Sequence, residues 1–371
     1  MFNYILRRLA LIPITLFGVM VLNFAIVQIA PGGPVEQMIA QVQGLDVSAT
    51  ARVTGAGSGE TMNAGQTQGP EVAIGGENKY RGAQGLDPDF IKEIEEMYGF
   101  DKPAYERFWL MMSNYVTFDF GESYFQDRAV VDLVIEKMPV SISLGVWTTV
   151  LVYLISIPLG IAKAVKDGSR FDIATSSVVI VGNAIPSFLF AILLVIVFAG
   201  GRYLDWFPLR GLVSENWEEL STWGKIADYL WHMVLPVGAL VIGSFASLTM
   251  LTKNSYLEEI NKQYVMTARA KGLTERRVMY GHVFRNAMLI VIAGFPAAFI
   301  GVLFTGSFLI EVIFSLDGLG LLGFEAVIKR DYPVMFASMF FFTLLGLVMG
   351  LIGDIMYHII DPRIDFEKVD R

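Results

Sequence analysis

The side chains with the clearest capacity for chemistry lie in residues 263–273, Gln-Tyr-Val-Met-Thr-Ala-Arg-Ala-Lys-Gly-Leu, which we call the basic segment. Arg269 and Lys271 can form charge-assisted hydrogen bonds with carboxylates, and the alanines beside them let another surface approach closely. Gly272 predicts a helix end, because glycine adopts the left-handed conformation without a Cβ penalty. The pattern therefore predicts a short helix that docks non-covalently in an acidic or carbonyl-lined groove.

Catalytic and metal-binding patterns are weak in this sequence. The histidines, His232, His282 and His358, are scattered and lack the spacing of a metal site. The absence of cysteine excludes disulfides and thiolate metal ligands. The glycine-rich tract 55–59 lacks the Lys-Ser/Thr that completes a phosphate-binding loop. We therefore expect no catalytic residue, metal or cofactor in this chain, and no ATP hydrolysis by the chain alone.

Polar residues at a break in an apolar run are candidates for lining a transport pathway. Asn183 and Ser187 flank Pro186, and the backbone carbonyls that a membrane proline leaves free can line a cavity. Proline is common in membrane helices, so a purely structural kink is the alternative. Glu311 follows another apolar run and is a candidate for an outer gate, with a solvated helix end as the alternative.

The elements that must position these residues are long apolar runs. Hydrophobic residues make up 54% of the 371 residues, charged residues only 17%, and the mean hydropathy is +0.53, as in membrane proteins. Six runs without Asp, Glu, Lys or Arg are long enough to cross a bilayer as helices, namely 9–30, 139–162, 173–201, 229–252, 286–310 and 332–353. The sequence therefore predicts an all-α, polytopic membrane protein with six transmembrane helices.

The distribution of charge predicts how these helices are oriented. If the N-terminus is inside, the inner segments are 1–8, 163–172, 253–285 and 354–371. These inner segments contain 15 Lys/Arg and 10 Asp/Glu, whereas the longer outer segments contain 13 Lys/Arg and 26 Asp/Glu. Lys and Arg are thus concentrated on the inner side, as the positive-inside rule requires. Both termini are therefore predicted to be cytoplasmic. Most of the net charge of −8 lies in outer loops and gives no indication of nucleic-acid binding.

The largest soluble part, residues 31–138, lies on the predicted outer side. Within it, residues 43–86 contain ten glycines and one aromatic residue, so they bury too little apolar area to fold and are predicted to be a flexible insert. Residues 87–138 carry apolar side chains at helical spacing and are predicted to form short helices at the outer membrane face. On the predicted inner side, the loop 253–285 contains the basic segment.

In this setting the basic segment resembles the cytoplasmic coupling loop of ABC-importer permeases, which in that family is written E-A-A, three residues and a glycine. Met266-Thr267-Ala268 occupy the E-A-A place and Gly272 the glycine, so the acidic residue of the family is absent. The sequence of residues 267–272, Thr-Ala-Arg-Ala-Lys-Gly, is similar to that of the oligopeptide/dipeptide branch. Further motifs similar to its B-type subunits recur in order: Ala30-Pro31-Gly32-Gly33-Pro34, Tyr98-Gly99-Phe100-Asp101-Lys102-Pro103, His232-Met233-Val234-Leu235-Pro236, Asp317-Gly318-Leu319-Gly320 and Arg330-Asp331-Tyr332-Pro333. With its glycine-rich insert, the chain looks most like the Yej-type B subunits, the branch associated with microcin C and peptide uptake.

The resemblance implies that residues 1–371 form one permease domain with the type I ABC-importer fold, which serves peptide import across the bacterial inner membrane. It implies a heterodimer with a second homologous permease, cytosolic subunits that bind ATP and Mg, a periplasmic peptide-binding protein, and contact with membrane lipid. It assigns ATPase coupling to Met266, Thr267, Ala268, Arg269, Ala270, Lys271, Gly272 and Leu273. A structural or assembly subunit is one alternative, and an ion-coupled carrier is another, although the six runs contain no carboxylate.

Overall fold

The computed structural model describes residues 2–29, 33–42, 88–97, 99–201, 203–304 and 308–360, and helices account for most of them. The predicted flexible insert 43–86 lies outside the described residues. Within the described ranges there is no β-strand, only an isolated antiparallel bridge between Glu122 and Ala129. The predicted all-α fold class is therefore confirmed.

The helices follow the apolar runs and the shorter helical patterns between them. In chain order they are α1 (Phe2–Ile29), α2 (Pro34–Val42), α3 (Pro88–Met97), α4 (Ala104–Val116), α5 (Val130–Val165), α6 (Arg170–Ala184), α7 (Ser187–Phe198), α8 (Thr222–Ile260), α9 (Gln263–Ala270), α10 (Glu275–Val278), α11 (Phe284–Ala287), α12 (Leu289–Ala293), α13 (Phe295–Phe304), α14 (Phe308–Ile313), α15 (Leu319–Lys329) and α16 (Tyr332–Ile360). A 3₁₀ turn covers Trp217–Glu219, and a π-helical turn covers Met279–Val283.

Four of these helices, α1, α5, α8 and α16, are long and apolar enough to cross a membrane. Helices α6 and α7 meet the same criterion together, but they are bent by 95° at Pro186. Ile185 is extended there, with φ −89° and ψ 118°, as expected of a residue that precedes proline. The described part of the chain thus has four helices with the length and composition of a membrane span, or five if the bent pair is one span. The predicted count of six is not reproduced.

The difference lies in the run 286–310, in which the described residues form the short helices α11, α12 and α13 with breaks at Met288 and Gly294, before α14 begins at Phe308. Pro296 has no N–H to donate to the carbonyl of Ile292, and Gly294 lowers the local helix propensity. A π-helical turn directly before the run also interrupts the regular hydrogen-bond ladder. Pro296 and Gly294 were visible in the sequence, but a count of consecutive apolar residues does not take them into account, and the π-helical turn was not predicted.

The chain forms two compact units. Unit 1 comprises Met1–Pro13, Met138–Gly320 and Thr343–Arg371, and unit 2 comprises Ile14–Lys137 and Leu321–Phe342. Unit 1 has two clusters of buried apolar side chains. One draws on α5, α7, α8 and α14, and the other surrounds the basic segment.

Within unit 1, helices α5 and α8 approach closely along one stripe of α5. The Ser156 hydroxyl donates to the Phe245 carbonyl at 3.0 Å. One turn further along, a Cβ on Gly160 would lie 2.6 Å from the Cβ of Thr252 and 2.8 Å from the Thr249 carbonyl oxygen. Small residues of this kind let the backbones of membrane helices come together.

The same stripe ends at Lys163, whose side chain is fully buried. Its Nζ lies 3.0 Å from Oδ1 of Asp172 and donates to the hydroxyls of Thr175 at 3.0 Å and Ser176 at 2.7 Å. Lys253 of α8 approaches the other carboxylate oxygen of Asp172 at 2.7 Å. A buried network of charged and hydroxyl groups therefore joins the end of α5, the start of α6 and α8.

Replacing Gly160 by alanine is expected to destabilise unit 1 by about 1–3 kcal/mol, the usual cost of overpacking. The added Cβ has no room against Thr252 and Thr249. The measurement is the midpoint of thermal unfolding of the purified protein in detergent. Gly346→Ala is the matched control, because Gly346 also lies in an apolar helix but a Cβ there would meet nothing within 4 Å. Equal midpoints for the two variants would contradict the close helix contact.

Unit 2 contains the short helices predicted for residues 87–138, observed as α3 and α4. Val35 of α2 and Ile94 of α3 are buried in a small apolar cluster. The Ser123 hydroxyl donates to the carboxylate of Asp331 at 2.5 Å, and both side chains are buried. Burial raises the pKa of Asp331.

Candidate functional site

The basic segment forms the short helix α9, and its end has the geometry of a Schellman motif. Gly272 has φ +77°, in the left-handed region. The N–H of Gly272 donates to the Arg269 carbonyl at 2.9 Å, and the N–H of Leu273 donates to the Ala268 carbonyl at 3.4 Å. These two bonds satisfy carbonyl groups that a helix otherwise leaves free at its C-terminus. The predicted helix end at Gly272 is therefore confirmed.

The two faces of α9 lie in different environments. Val265 is 0% exposed and Ala268 6%, so both pack inward. Met266 is 63% exposed, and Thr267 and Ala270 are exposed beside it. The expectation that Ala268 offers its small side chain to another protein therefore requires a correction, because Ala268 packs on the chain's own core. Met266, Thr267, Ala270 and Lys271 are among the residues of the predicted docking surface that remain accessible.

Arg269 is engaged within the chain. Its guanidinium donates two hydrogen bonds to the Glu275 carboxylate, with Nη2–Oε1 at 2.6 Å and Nε–Oε2 at 3.2 Å. These bonds lower the pKa of Glu275, so its contribution to stability is present at neutral pH and is lost as the pH falls through the lowered pKa. Because the side chains are 40% and 53% exposed, the pair stabilises by less than about 1 kcal/mol. Lys271, the second predicted cation, is exposed.

The inward face of α9 packs on a core shared by several segments of unit 1. Val265 and Ala268 meet the end of α5, Tyr256 of α8, and buried side chains of the range 278–291. Leu273 packs against the same cluster. Because protein interiors are close-packed and transmit strain, a displacement of α9 would be passed to α5, α8 and α12.

Replacing Gly272 by alanine is expected to cost about 1–2 kcal/mol, because an L-residue is strained in the left-handed conformation. A Cβ at this position would meet nothing within 4 Å, so the cost is conformational rather than steric. The measurements are the thermal midpoint and the rate of tryptic cleavage after Lys271, which should rise. Gly281→Ala is the matched control, since Gly281 is exposed and lacks a positive φ. A loss of stability in both variants, or in neither, would contradict this account of the helix end.

A cavity of about 540 Å³ lies in unit 1 among α5, α7, α8, α12 and α13, and we call it the hydroxyl cavity. Among the described residues that line it, none carries a charge. The side chains of Thr148 and Thr149 are buried, and their hydroxyl oxygens have no hydrogen-bond partner in the described part of the chain. The polar side chains of its wall all carry hydroxyls: Thr148, Thr149, Tyr153, Ser187, Ser244 and Ser247.

The structure does not bring the four predicted pathway residues together. Ser187 lies in the wall of the hydroxyl cavity. Asn183 and Pro186 are exposed at the bend between α6 and α7 and are not part of that wall. The role of all four in a pathway stays a prediction.

Glu311 lies apart from the cavity wall, fully buried in α14. The Ser141 hydroxyl donates to its Oε1 at 3.4 Å and accepts the N–H of Leu319 at 2.8 Å. A Cβ on Gly318 would lie 2.5 Å from the carboxylate, so only glycine leaves room for it. The alternative, that Glu311 lies at a solvated helix end, is therefore wrong. Glu311 is instead held against the turn that follows α14.

The sequence predictions missed the cavity residues of α5 and α8, although a signal was present. Gly243, Ser244 and Ser247 recur at the spacing of one helical face, and Thr148 and Thr149 are adjacent hydroxyl residues within the run 139–162. Helical spacing identifies residues that share a face. It does not identify the neighbouring helices that complete a cavity.

The long apolar helices, with a short helix seated on their core, define a multi-pass membrane protein. Residues 156–366 match the family described as "Binding-protein-dependent transport system inner membrane component". The chain belongs to this family, the permease subunits of ABC transporters. It is accordingly a transport component of the membrane rather than a catalytic enzyme.

Full-length relatives agree with this assignment. The chain is 59% identical over 367 residues to the peptidoglycan transport system permease protein YejB of Agrobacterium fabrum (strain C58), an alignment that covers 99% of each chain. It is 57% identical over 364 residues to the inner membrane ABC transporter permease protein YejB of Escherichia coli O157:H7, covering 98% of this chain and 99% of that one. It is 33% identical over 368 residues to the oligopeptide transport system permease protein AppB of Bacillus subtilis (strain 168), with coverage of 98% and 99%. The resemblance to B-type and Yej-type subunits is therefore confirmed.

Proposed function

We propose that this chain is the permease subunit of an ATP-driven importer that carries peptides, including microcin C-like peptides, inward across the inner membrane. The observation that carries the proposal is the seating of α9 on a core that it shares with the walls of the hydroxyl cavity. Val291 is common to that core and to the cavity wall, and Leu248 packs against the core while lining the cavity. The name of the Bacillus subtilis relative, an oligopeptide transport system permease, supports a peptide as cargo.

The proposed mechanism starts at the exposed face of α9. A cytosolic ATPase subunit, which binds ATP and Mg, docks on Met266, Thr267, Ala270 and Lys271. Its closure displaces α9, and the shared core passes the displacement to α5, α8 and α12. The walls of the cavity then shift, so that access alternates between the two sides of the membrane. Energy enters through this contact, and the chain itself supplies no catalytic group.

The proposed assembly has three further parts. A second, homologous permease completes the membrane complex, and membrane lipid covers the remaining apolar helix faces. A periplasmic peptide-binding protein docks on the outer side, where residues 87–138 present short helices and carboxylates. Both termini and the loop 253–285 are proposed to be cytoplasmic, as the distribution of Lys and Arg predicts.

An ATPase assay on the assembled complex in proteoliposomes tests the proposal. We expect ATP hydrolysis to rise when peptide-loaded binding protein is added, and labelled peptide to accumulate on the side away from the binding protein. The binding protein without peptide is the control. A complex that hydrolyses ATP but accumulates no peptide, while it accumulates another solute, would overturn the proposed cargo.

A further inference from the structure

The hydroxyl cavity carries an inference about what the permease recognises in its cargo. We propose that this cavity binds the main-chain amides of a passing peptide, and that it does so without regard to the charge of the peptide's side chains. The inference rests on the proposed function of peptide import and adds to it a binding site and a mode of recognition.

The hydrogen-bonding capacity of the wall matches a peptide backbone. Thr148 and Thr149 are 0% and 3% exposed, and their hydroxyl oxygens have no partner in the described ranges. A buried hydroxyl without a partner costs free energy, so a shift of the cavity wall that lets a ligand supply one is favoured. Each hydroxyl can both donate and accept, and each peptide unit offers one N–H and one C=O. The wall and a peptide backbone are therefore complementary.

The wall has no means of selecting peptides by the charge of their side chains. The described lining residues include no Asp, Glu, Lys, Arg or His. A site that selects cationic or anionic side chains needs a fixed opposite charge, which these residues do not supply. The volume of about 540 Å³ falls within the range of ligand sites, about 300–1,000 Å³. A short stretch of peptide can therefore fit in the cavity without pairing its charged side chains with the wall.

The lining of the cavity and its contact with the core beneath α9 also favour release of a bound peptide. Its wall includes Gly243, Gly294 and Gly301, which add no side chain to the passage. Val291 and Leu248 connect the wall to the core beneath α9. Weak, neutral hydrogen bonds suit a transient site, because tight binding would slow passage.

Cysteine labelling provides the first test, because the chain has no cysteine of its own. In membranes that contain the full complex, Ser247→Cys should react with a charged, membrane-impermeant thiol reagent, and transported peptide should slow the reaction at least about threefold. Thr252→Cys is the matched control, since Thr252 lies on the same helix, is buried and is not part of the wall. The complex without either substitution gives the background from partner subunits. Labelling by an apolar reagent alone would make the cavity a lipid-facing groove and overturn the proposal.

Uptake measurements provide the second test. The double variant Thr148→Val, Thr149→Val removes two hydroxyls at nearly constant volume, so uptake of cationic, neutral and anionic tripeptides should fall by a similar factor, about tenfold. Thr252→Val removes a hydroxyl that is also buried and unpartnered but lies outside the wall, and uptake should stay within about twofold of wild type. Ser247→Asp introduces a charge, and anionic peptides should then be slowed at least about tenfold more than cationic ones.

The outcomes separate this proposal from the proposed function. If the wild-type complex imports peptides but Ser247→Asp produces no charge preference, the hydroxyl cavity is not on the route and peptide import stands. If the threonine variant loses only peptides of one charge, recognition is by side chain and the proposal fails. If the wild-type complex imports no peptide at all, the proposed function itself has failed.

Discussion

Glutamate at Met266 or Ala270 is expected to lower peptide uptake and substrate-stimulated ATP hydrolysis at least about tenfold, while the permease still folds and inserts. Both residues lie on the exposed face of α9, so the chain's own packing does not depend on them. In the proposed complex the same face is covered by the ATPase subunit. A carboxylate buried there without a partner costs several kcal/mol, and each 1.4 kcal/mol weakens the affinity for the ATPase subunit by about a factor of ten. Co-purification of the ATPase subunits should fall in parallel.

Met97→Glu is the matched control for this result. Met97 is 67% exposed, close to the 63% of Met266, and it lies in α3, away from the basic segment in sequence and in the other unit. The same substitution there should leave ATPase binding unchanged. Ala268→Glu is expected to affect folding rather than docking, because Ala268 is buried. This variant should therefore yield little folded protein. Normal uptake by the Met266 and Ala270 variants at normal expression would remove the docking assignment.

Replacing Lys163 by methionine is expected to destabilise the protein by about 3 kcal/mol, the lower end of the cost of breaking a buried ion pair. Methionine fills a similar volume but leaves the Asp172 carboxylate and the Thr175 and Ser176 hydroxyls without the ammonium group that they contact. Lys253 still contacts the carboxylate, which limits the loss. The measurement is the thermal unfolding midpoint in detergent, with the amount of inserted protein as a second readout.

Two further variants show whether the loss of stability comes from the buried network or from the loss of any lysine. Lys166→Met is the matched control, because Lys166 is exposed and its Nζ lies 5.3 Å from the ring of Phe171. It should cost no more than about 1 kcal/mol. Adding Asp172→Asn to Lys163→Met removes the uncompensated charge and should recover part of the stability. If Lys163→Met and Lys166→Met unfold at the same temperature, the buried network does not stabilise the protein as its geometry indicates.

Features that depend on neighbouring residues were predictable from the sequence. The apolar runs gave the spanning helices α1, α5, α8 and α16, since a membrane requires a length of apolar helix and little else. Gly272 marked the end of α9, because only the local backbone conformation is involved. Pro186 likewise marked the bend between α6 and α7. In each case the cause lies within a few residues of the effect.

Features that depend on distant residues were decided by the tertiary structure. Apolar length indicated a sixth span at 286–310, but the chain forms several short helices there. Small side chains suggested that Ala268 faces a partner, whereas a core drawn from α5, α8 and 278–291 covers it. The sequence placed Glu311 at the end of a run, and Ser141 and Gly318 enclose it.

By itself, then, the sequence determined a helical membrane protein with a short, glycine-terminated helix at 263–270, because helix length, helix ends and proline bends follow from local backbone chemistry. Tertiary structure alone decided which face of that helix remains accessible, which charges are buried together, and where hydroxyls of α5, α7 and α8 meet in one cavity. Thr148 and Ser247 are almost a hundred residues apart, and Lys163 and Lys253 are ninety apart. Their meeting depends on how helices pack, and no pattern within a single helix specifies its neighbours.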